Sequence, residues 1–448
     1  MAMTYKVSAY NIDFYEKDGW VYFFNTLHAS LSRVRSDVAK ALKQGTLPDL
    51  PDEYLDQLSR DKLVCASDVD ELKVYSLRRK LSQCNGNRTH IFLTLTYACN
   101  CRCVYCFQNK CRKNGMLKPD LARGIRKFVD ALVTQNSSKI LQIDFFGGEP
   151  LLCMDIVKEE ISFYQEYAQK KRIKLAFRFY TNGTLITEDL AQYLSTLPIK
   201  DMQITLDGEE KEHNAQRPLA NRKNSFKATI DGLKLLKKYH VPYIIRINVT
   251  ETNAQNIERL LDTLNRIGLD GSPLAFYPVQ NMTEASCSYH GVCKAAKLRR
   301  LIPSFWIYAY EKGFFPLVGG NVGYLYCSAS NVASAVLDYM GNVHKCALLQ
   351  ERADYKIGTL HLDGSFDGPN AEYYRWMDRN PLNNPSCSKC KMLPICGGGC
   401  GGCAVTQLQD YNKPSCGYLN EEILKYALLI RTGLIKEYLN EKPEAKNK

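Results

Sequence analysis

No stretch of this chain is apolar for long enough to cross a membrane. The nearest, Leu301–Tyr310 (LIPSFWIYAY), falls well short of the roughly 18 residues that a spanning helix needs. The first twenty residues, MAMTYKVSAYNIDFYEKDGW, lack the apolar core of a secretory signal, so a soluble cytoplasmic protein is expected. Long periodic segments are missing from about Gly313 until the amphipathic run near the C-terminus, NEEILKYALLIRTGLIKEYLNE. Neither a recognition helix nor a set of stacking aromatics accompanies the basic clusters, as a nucleic-acid binder would require, so no nucleic-acid partner is expected. Those clusters, such as Lys170–Lys174 and Leu298–Leu301, belong to a net charge of +12 from 59 basic and 47 acidic residues. Such an excess reads either as a solvated surface or as attraction to an acidic partner.

What the chain has in excess is cysteine, 18 in 448 residues. In a reducing cytosol that number signals metal ligands or redox thiols rather than disulfides. Five lie between Cys99 and Cys111 and six between Cys387 and Cys416. Cys65, Cys84 and Cys153 stand alone and read as small buried apolar residues.

The length allows two or three domains, and three regions are expected. Residues 1–88 read as a small α+β module. It has strands at YKVSAYNIDF and WVYFFNTL around an EKDG turn, then helices at SDVAKALKQG and PDEYLDQLSRDKLV. Residues 89–312 alternate strands and helices. The strands are expected at Ile91–Tyr97, Ile140–Gly147, Leu175–Asn182, Asp201–Gly208, Tyr243–Thr250 and Leu274–Val279. Such alternation implies a parallel sheet with right-handed crossovers, and six units imply a partial (β/α)6 TIM-like barrel. Residues 313–448 form a cysteine-rich region whose poor apolar periodicity calls for another source of stability, which metal clusters would provide.

The YACNCRCVYCF stretch follows the first barrel strand, at the face where such barrels carry their chemistry. Within it Cys99, Cys103 and Cys106 are spaced C-x3-C-x2-C. Three thiolates around a [4Fe–4S] cluster leave one iron open to a ligand. The rival is a closed zinc site, which needs four ligands and would crowd Cys101 into the set. FFGGEP (Phe145–Pro150) ends the second strand, YTNGT the third, and ITLDGEEKEHNAQR begins at the fourth. Glycines in the first of these allow close backbone approach to a ligand, and Glu149 can accept a hydrogen bond from an ammonium group.

With these motifs at consecutive strand ends, the chain resembles the radical S-adenosylmethionine (SAM) superfamily over about Thr89–Val279. The resemblance implies that SAM chelates the open iron and is cleaved to a 5′-deoxyadenosyl radical. It implies that Tyr105, the aromatic before the last cysteine, and Gly147, Gly148 and Glu149 belong to the cofactor site. It further implies that Asn182, Thr205 and Arg217 line the SAM pocket, with Asn248 on the adenosine side. Arg217 suits a carboxylate, and His213 reads as structural. The C-terminal cysteines resemble the SPASM extension over roughly Gly320–Tyr418. That resemblance implies an outer [4Fe–4S] cluster on Cys387, Cys390, Cys396 and Cys416, and an inner one on Cys327, Cys346 and Cys400. Together with the SAM-binding cluster this makes three. The inner set is one ligand short. Cys287, Cys293 or Cys403 completes it, or an iron stays open to a substrate thiolate. A structural zinc ribbon is the competing reading, and only Cys387 and Cys390 fit its paired spacing.

Proteins of this type act on peptides or proteins and draw electrons from a flavodoxin- or ferredoxin-type donor. One branch, the anaerobic sulfatase-maturing enzymes, carries an acidic residue directly after the cysteine matching Cys346, to serve as a base. Here Ala347 follows, and Asp338 is the nearby substitute. The other branch crosslinks or epimerises ribosomally made peptides, often with an N-terminal module that captures a leader peptide on a strand edge. Residues 1–88 resemble such a module, with a plain structural cap as the alternative, and a basic protein suits an acidic leader. The expected function is a peptide maturase that installs a thioether or other crosslink, with sulfatase maturation as the alternative and a metal-dependent nucleic-acid binder as the remote one. Replacing Cys99, Cys103 and Cys106 together by Ala is expected to abolish reductive SAM cleavage, measured as 5′-deoxyadenosine under anaerobic conditions, whereas Cys101→Ala should keep most of it.

Overall fold

The computed structural model describes residues 4–47, 50–108, 115–279, 294–319, 327–417 and 419–441. Cys111, Cys287 and Cys293, named above, lie outside the described residues. None of the described helices is long and apolar enough to cross a membrane.

At the N-terminus, β1 (Tyr5–Val7) pairs with β5 (Val64–Ala66), and β2 (Asn11–Lys17), β3 (Trp20–Asn25) and β4 (Ser30–Arg35) form an antiparallel sheet in that order. The helices Ser36–Gln44 and Asp52–Arg60 occur where the sequence indicates them, the first closed by Gly45 in the left-handed conformation. β4 and a third helix, Glu71–Gln83, were not anticipated. In β4 only Val34 is fully buried, so its apolar alternation is faint. The helix buries Glu71, Arg79 and Gln83, polar residues that disguise an inward face.

The six expected barrel strands all form: β6 (Arg88–Thr94), β7 (Ile140–Phe146), β8 (Lys174–Thr181), β9 (Ile199–Thr205), β10 (Tyr243–Val249) and β11 (Pro273–Pro278). Each pairs in parallel with the next. Period-two alternation divides their faces. Ile91, Leu93, Leu141, Ile143, Phe145, Phe177 and Phe179 have no exposure and pack beneath the crossover helices. His90, Gln142, Asp144, Arg178 and Arg246 alternate with them and point the other way, into the lumen. The helices supply Ile125, Val129, Val157, Ile161, Leu233, Leu236, Leu260 and Leu264, all fully buried. Each such side chain contributes roughly 1.5–3 kcal/mol.

The sheet does not stop at six strands. β12 (Phe315–Pro316) adds to β11. On the other side β13 (Ser334–Asp338) runs parallel to β6, with Ser334 opposite His90 and Asp338 opposite Thr94. β14 (Asn342–His344), β15 (Lys356–Leu360) and β16 (Phe366–Asp367) continue it antiparallel, giving eleven strands. Sequence reading found no regular structure here because these strands are two to five residues long. The lone cysteines divide: Cys153 is buried as expected, Cys65 is half-buried and Cys84 is exposed, because it ends the Glu71–Gln83 helix at the surface.

Asp338 shows what anchors the β13–β14 turn. Its Oδ1 accepts from the amides of Met340 and Asn342 (both 2.9 Å), and its Oδ2 accepts from Asn342 Nδ2 (2.9 Å) and the Tyr97 hydroxyl (3.1 Å). Asp338→Ala strands these buried donors and is expected to lower stability by about 3 kcal/mol, read from anaerobic urea unfolding.

Candidate functional site

Cys99, Cys101, Cys103 and Cys106 lie on the loop that leaves β6. Backbone bonds hold this loop from two sides. On one, Gly148 N donates to Thr96 O and Glu149 N to Ala98 O, both at 2.9 Å. On the other, Arg102 N donates to Pro218 O (2.7 Å), Val104 N to Gln216 O (2.9 Å) and Ala220 N to Asn100 O (2.8 Å). A Cβ at Gly148 would stand 2.0 Å from the Ala98 carbonyl oxygen, and one at Gly147, whose φ is +125°, 2.4 Å from Thr96 O. The close approach that requires both glycines is therefore to the chain's own cysteine loop.

Cys99 and Cys106 are half-buried and Cys103 is buried. Cys101 is also buried, bridged to Leu219, with its thiol hydrogen-bonded to Cys103 and Cys99. The bond from Cys101 pulls the Cys99 thiol down in pKa, while the bonds to Cys103 and Cys99 hold the Cys101 thiol protonated. Cys101 is thus an inward residue of the loop.

Glu149 is completely buried. Its Oε1 accepts from Thr181 Oγ1 (2.7 Å) and Leu151 N (3.1 Å), and its Oε2 accepts from Asn182 N (2.8 Å). Burial raises its pKa against those bonds. The side chain ties the end of β7 to the end of β8. Asn182 reaches the loop through Nδ2 to Asn100 Oδ1 (2.7 Å), with Cys99 Sγ at 3.9 Å.

Sequence reasoning missed Asp207. This fully buried residue accepts from the Tyr105 hydroxyl, from Asn248 N (3.2 Å) and, as an ion pair at 3.7 Å, from Arg217. The Tyr105 hydroxyl in turn accepts from Arg217 Nη1 (2.6 Å) and Asn248 Nδ2 (3.0 Å). Burial pushes the Asp207 carboxyl up in pKa. Burial alone would lower Arg217; the Cys103 thiol, Tyr105 and Asp207 more than reverse that. Four of the expected cofactor residues thus meet beside the cysteines: Tyr105, Arg217 and Asn248 in one network, and Asn182 across the loop. Thr205 is half-buried at the end of β9, opposite Arg246 in the ladder. His213 is buried and structural, its Nδ1 accepting from Asp207 N (3.3 Å). The one signal that could have found Asp207 is an acidic residue followed by glycine at a strand end.

The C-terminal cysteines fall into two neighbourhoods. Cys387 has Cys416, Cys396 and Cys390 as its charged neighbours, and burial with their repulsion pushes its pKa up to about 11. Cys346 has Cys327 and Cys400, and burial raises it too. Cys403 is buried beside Cys400, hydrogen-bonds to it and also neighbours Cys346. The resemblance to the SPASM extension implies the same two sets. Crowded thiols of this kind suit iron–sulfur ligation, since one cluster takes up several thiolates that otherwise repel. Among the described residues no three His, Cys, Asp or Glu side chains close on one point as a single-ion site would require.

Residues 93–265 match the model of the radical SAM superfamily. The chain carries a radical SAM domain. That superfamily works with a [4Fe–4S] cluster and SAM, and Cys99, Cys103 and Cys106 with the surrounding strand ends lie inside the matched span. Among similar proteins is a cysteine-type anaerobic sulfatase-maturating enzyme of Clostridium novyi (strain NT), 26% identical over 328 residues, 67% of this chain and 84% of that one. Another is the radical SAM cyclopropyl synthase TigE of Paramaledivibacter caminithermalis, 24% identical over 472 residues, 92% of each chain. Among solved structures, Streptococcus suis SuiB bound to its precursor peptide SuiA shares the fold with a TM-score of 0.53 at 16% identity, covering 92% of this chain and 98% of SuiB. The radical SAM domain therefore sits in an α/β partial barrel common to such enzymes.

Tyr105→Phe removes the hydroxyl that joins Asp207, Arg217 and Asn248. It is expected to weaken SAM binding about tenfold, equivalent to about 1.4 kcal/mol, in anaerobic calorimetric titration.

Proposed function

We propose that this protein is a radical SAM peptide maturase that installs a crosslink in a ribosomally made peptide. It would hold a SAM-binding cluster on Cys99, Cys103 and Cys106. An outer auxiliary cluster would sit on Cys387, Cys390, Cys396 and Cys416, and an inner one on Cys327, Cys346 and Cys400. When bound, SAM and its cluster supply hydrogen-atom abstraction from an unactivated C–H bond. The chain's own residues hold the loop, exclude water and orient: Glu149 joins two strand ends, and Tyr105, Asp207, Arg217 and Asn248 form a prearranged polar wall. Holding reactants in one geometry is a large catalytic effect.

The observation that carries the choice of branch is the environment of Cys346. Ala347 follows it, and Asp338, the nearby carboxylate, already accepts four hydrogen bonds. The acidic residue that directly follows this cysteine in the sulfatase-maturing branch is therefore replaced here by one that cannot take a proton. TigE, whose similarity spans 92% of the chain against 67% for the sulfatase-maturating enzyme, lends further support.

Residues 1–88 are read as the peptide-capturing module. β4 pairs with β3 on one side only, and its exposed Leu31, Arg33 and Arg35 alternate along the edge. Arg33 stacks over Trp20 at 5.1 Å. An added strand would find main-chain donors and acceptors there, and acidic leader side chains would find cations. A flavodoxin- or ferredoxin-type protein would be the electron donor. Cys403, which neighbours Cys400 and Cys346, would complete the inner set; Cys287 and Cys293 lie outside the described residues.

The test is mass spectrometry of a cysteine-bearing peptide co-expressed with the enzyme. The expected product has lost two hydrogens, and one thiol no longer alkylates. Loss of two hydrogens with every thiol free keeps the maturase class and rejects the thioether. Gain of an aldehyde moves the protein to the sulfatase-maturing branch.

A further inference from the structure

Arg379 is a buried cation, 4% exposed, whose strongest charged neighbours are Cys400, Cys396, Cys327 and Cys387, drawn from both C-terminal thiol groups. Its guanidinium spans the linker between those groups. Nη1 donates to Gly397 O (3.2 Å), and Nη2 donates to Gly398 O (2.9 Å) and Gly399 O (3.1 Å). These three glycines are all that separates Cys396 from Cys400, and all have positive φ, at 55°, 81° and 78°. The linker is also fixed to the segment bearing Cys416. Ser415 N donates to Gly398 O (3.1 Å), and a Cβ at Gly399 would lie 1.9 Å from Ser415 O. One donor of the fork is left over. Arg379 Nε is buried without a hydrogen-bond partner, beside Gly401, where a Cβ would come within 3.3 Å of it. Gly401 directly follows Cys400. A second buried guanidinium, Arg79, donates to the Arg379 carbonyl.

A buried charge with an unused N–H is costly unless an acceptor lies beside it. The charged groups around it are cysteine thiols, and hydrogen bonds to sulfur together with local charge set the potential of an iron–sulfur cluster. We propose that Arg379 is the positioning residue of the two auxiliary clusters: its fork fixes the Gly397–Gly399 linker that joins their ligands, and its Nε–H and charge face the sulfurs of the inner one. This rests on the two-cluster reading above. The positive charge favours the reduced cluster, so its loss should move the midpoint potential to more negative values.

The experiment uses the full chain with Cys99, Cys103 and Cys106 replaced by Ala, which leaves the auxiliary clusters to be studied without the SAM-binding one. Iron and sulfide content is measured first. If this parent does not hold two four-iron clusters, the two-cluster reading fails, independently of Arg379. If it does, Arg379→Gln and Arg379→Lys are compared in redox titrations followed by electron paramagnetic resonance. The expected result is a more negative midpoint in R379Q and recovery toward the parent value in R379K. Loss of iron from R379Q with the circular dichroism of the fold intact, restored in R379K, also supports the assignment. Full iron with an unchanged midpoint in R379Q overturns it. So does collapse of the fold in both variants, which would make the arginine a support of the chain alone.

Discussion

Gly148 runs so close beneath the cysteine loop that a single methyl group there would lie 2.0 Å from the Ala98 carbonyl oxygen. The placement of the N-terminal thiols depends on this backbone contact. Two amides of the 147–149 turn donate to the loop, and the loop's far side is bonded to residues 216–220. Neither support uses a thiol, so a frame of backbone contacts alone sets where Cys99, Cys103 and Cys106 stand. Glu149 extends the same frame sideways. Its buried carboxylate joins β7 to β8 through Thr181 and Asn182, and Asn182 returns to the loop through Asn100. Hydrogen bonds to a buried carboxylate are among the stronger ones, roughly 1.5–3 kcal/mol each.

The lumen beneath this frame is polar in a way that stability does not explain. Arg178 pairs with Asp201 at 2.6 Å, His90 with Asp144 at 2.9 Å, and Arg246 stacks on Tyr277 at 4.6 Å. Replacing buried ion pairs by apolar residues is often neutral or stabilising by about 1–4 kcal/mol. The opposite faces of the same strands are largely apolar, so the chain builds such faces readily and departs from them toward the lumen. Under the function proposed above, groups that orient a peptide in the lumen would account for the departure.

The barrel strands were legible because period-two patterns end at turn residues, and the motifs were legible because their spacing is local. The grouping of Cys387, Cys390, Cys396 and Cys416 comes instead from the resemblance to the SPASM extension. What escaped depends on distance along the chain. Tyr105 meets Asp207 and Arg217 across 102 and 112 positions, and nothing in ITLDGEE marks Asp207 as its partner. Glu149 stood out in FFGGEP, but its hydrogen-bond partners Thr181 and Asn182 sit on another strand and could not be read from it. β13 was missed because a five-residue strand has too few positions to show a pattern, although every residue in it is buried. Arg379, a lone arginine in an Asp- and Asn-rich stretch, reads as a solvated charge until the fold wraps the glycine linker around it.

The three regions are joined more tightly than their compositions suggest. β13 hydrogen-bonds to β6, so the first strand after Cys327 is also the neighbour of the strand that leads to Cys99. The N-terminal module reaches the cysteine-rich region through Thr26 to Lys391 O at 2.5 Å, and through Arg79 and Gln83 to the carbonyls of Arg379 and Met377. Its β2 packs on the helix Glu421–Thr432, and Lys17 pairs with Glu437. A peptide held on the free edge of β4 would therefore be referenced to both thiol regions through packed contacts rather than through a flexible linker. Positional precision of that kind matters where a reactive carbon and its partner must meet without water between them.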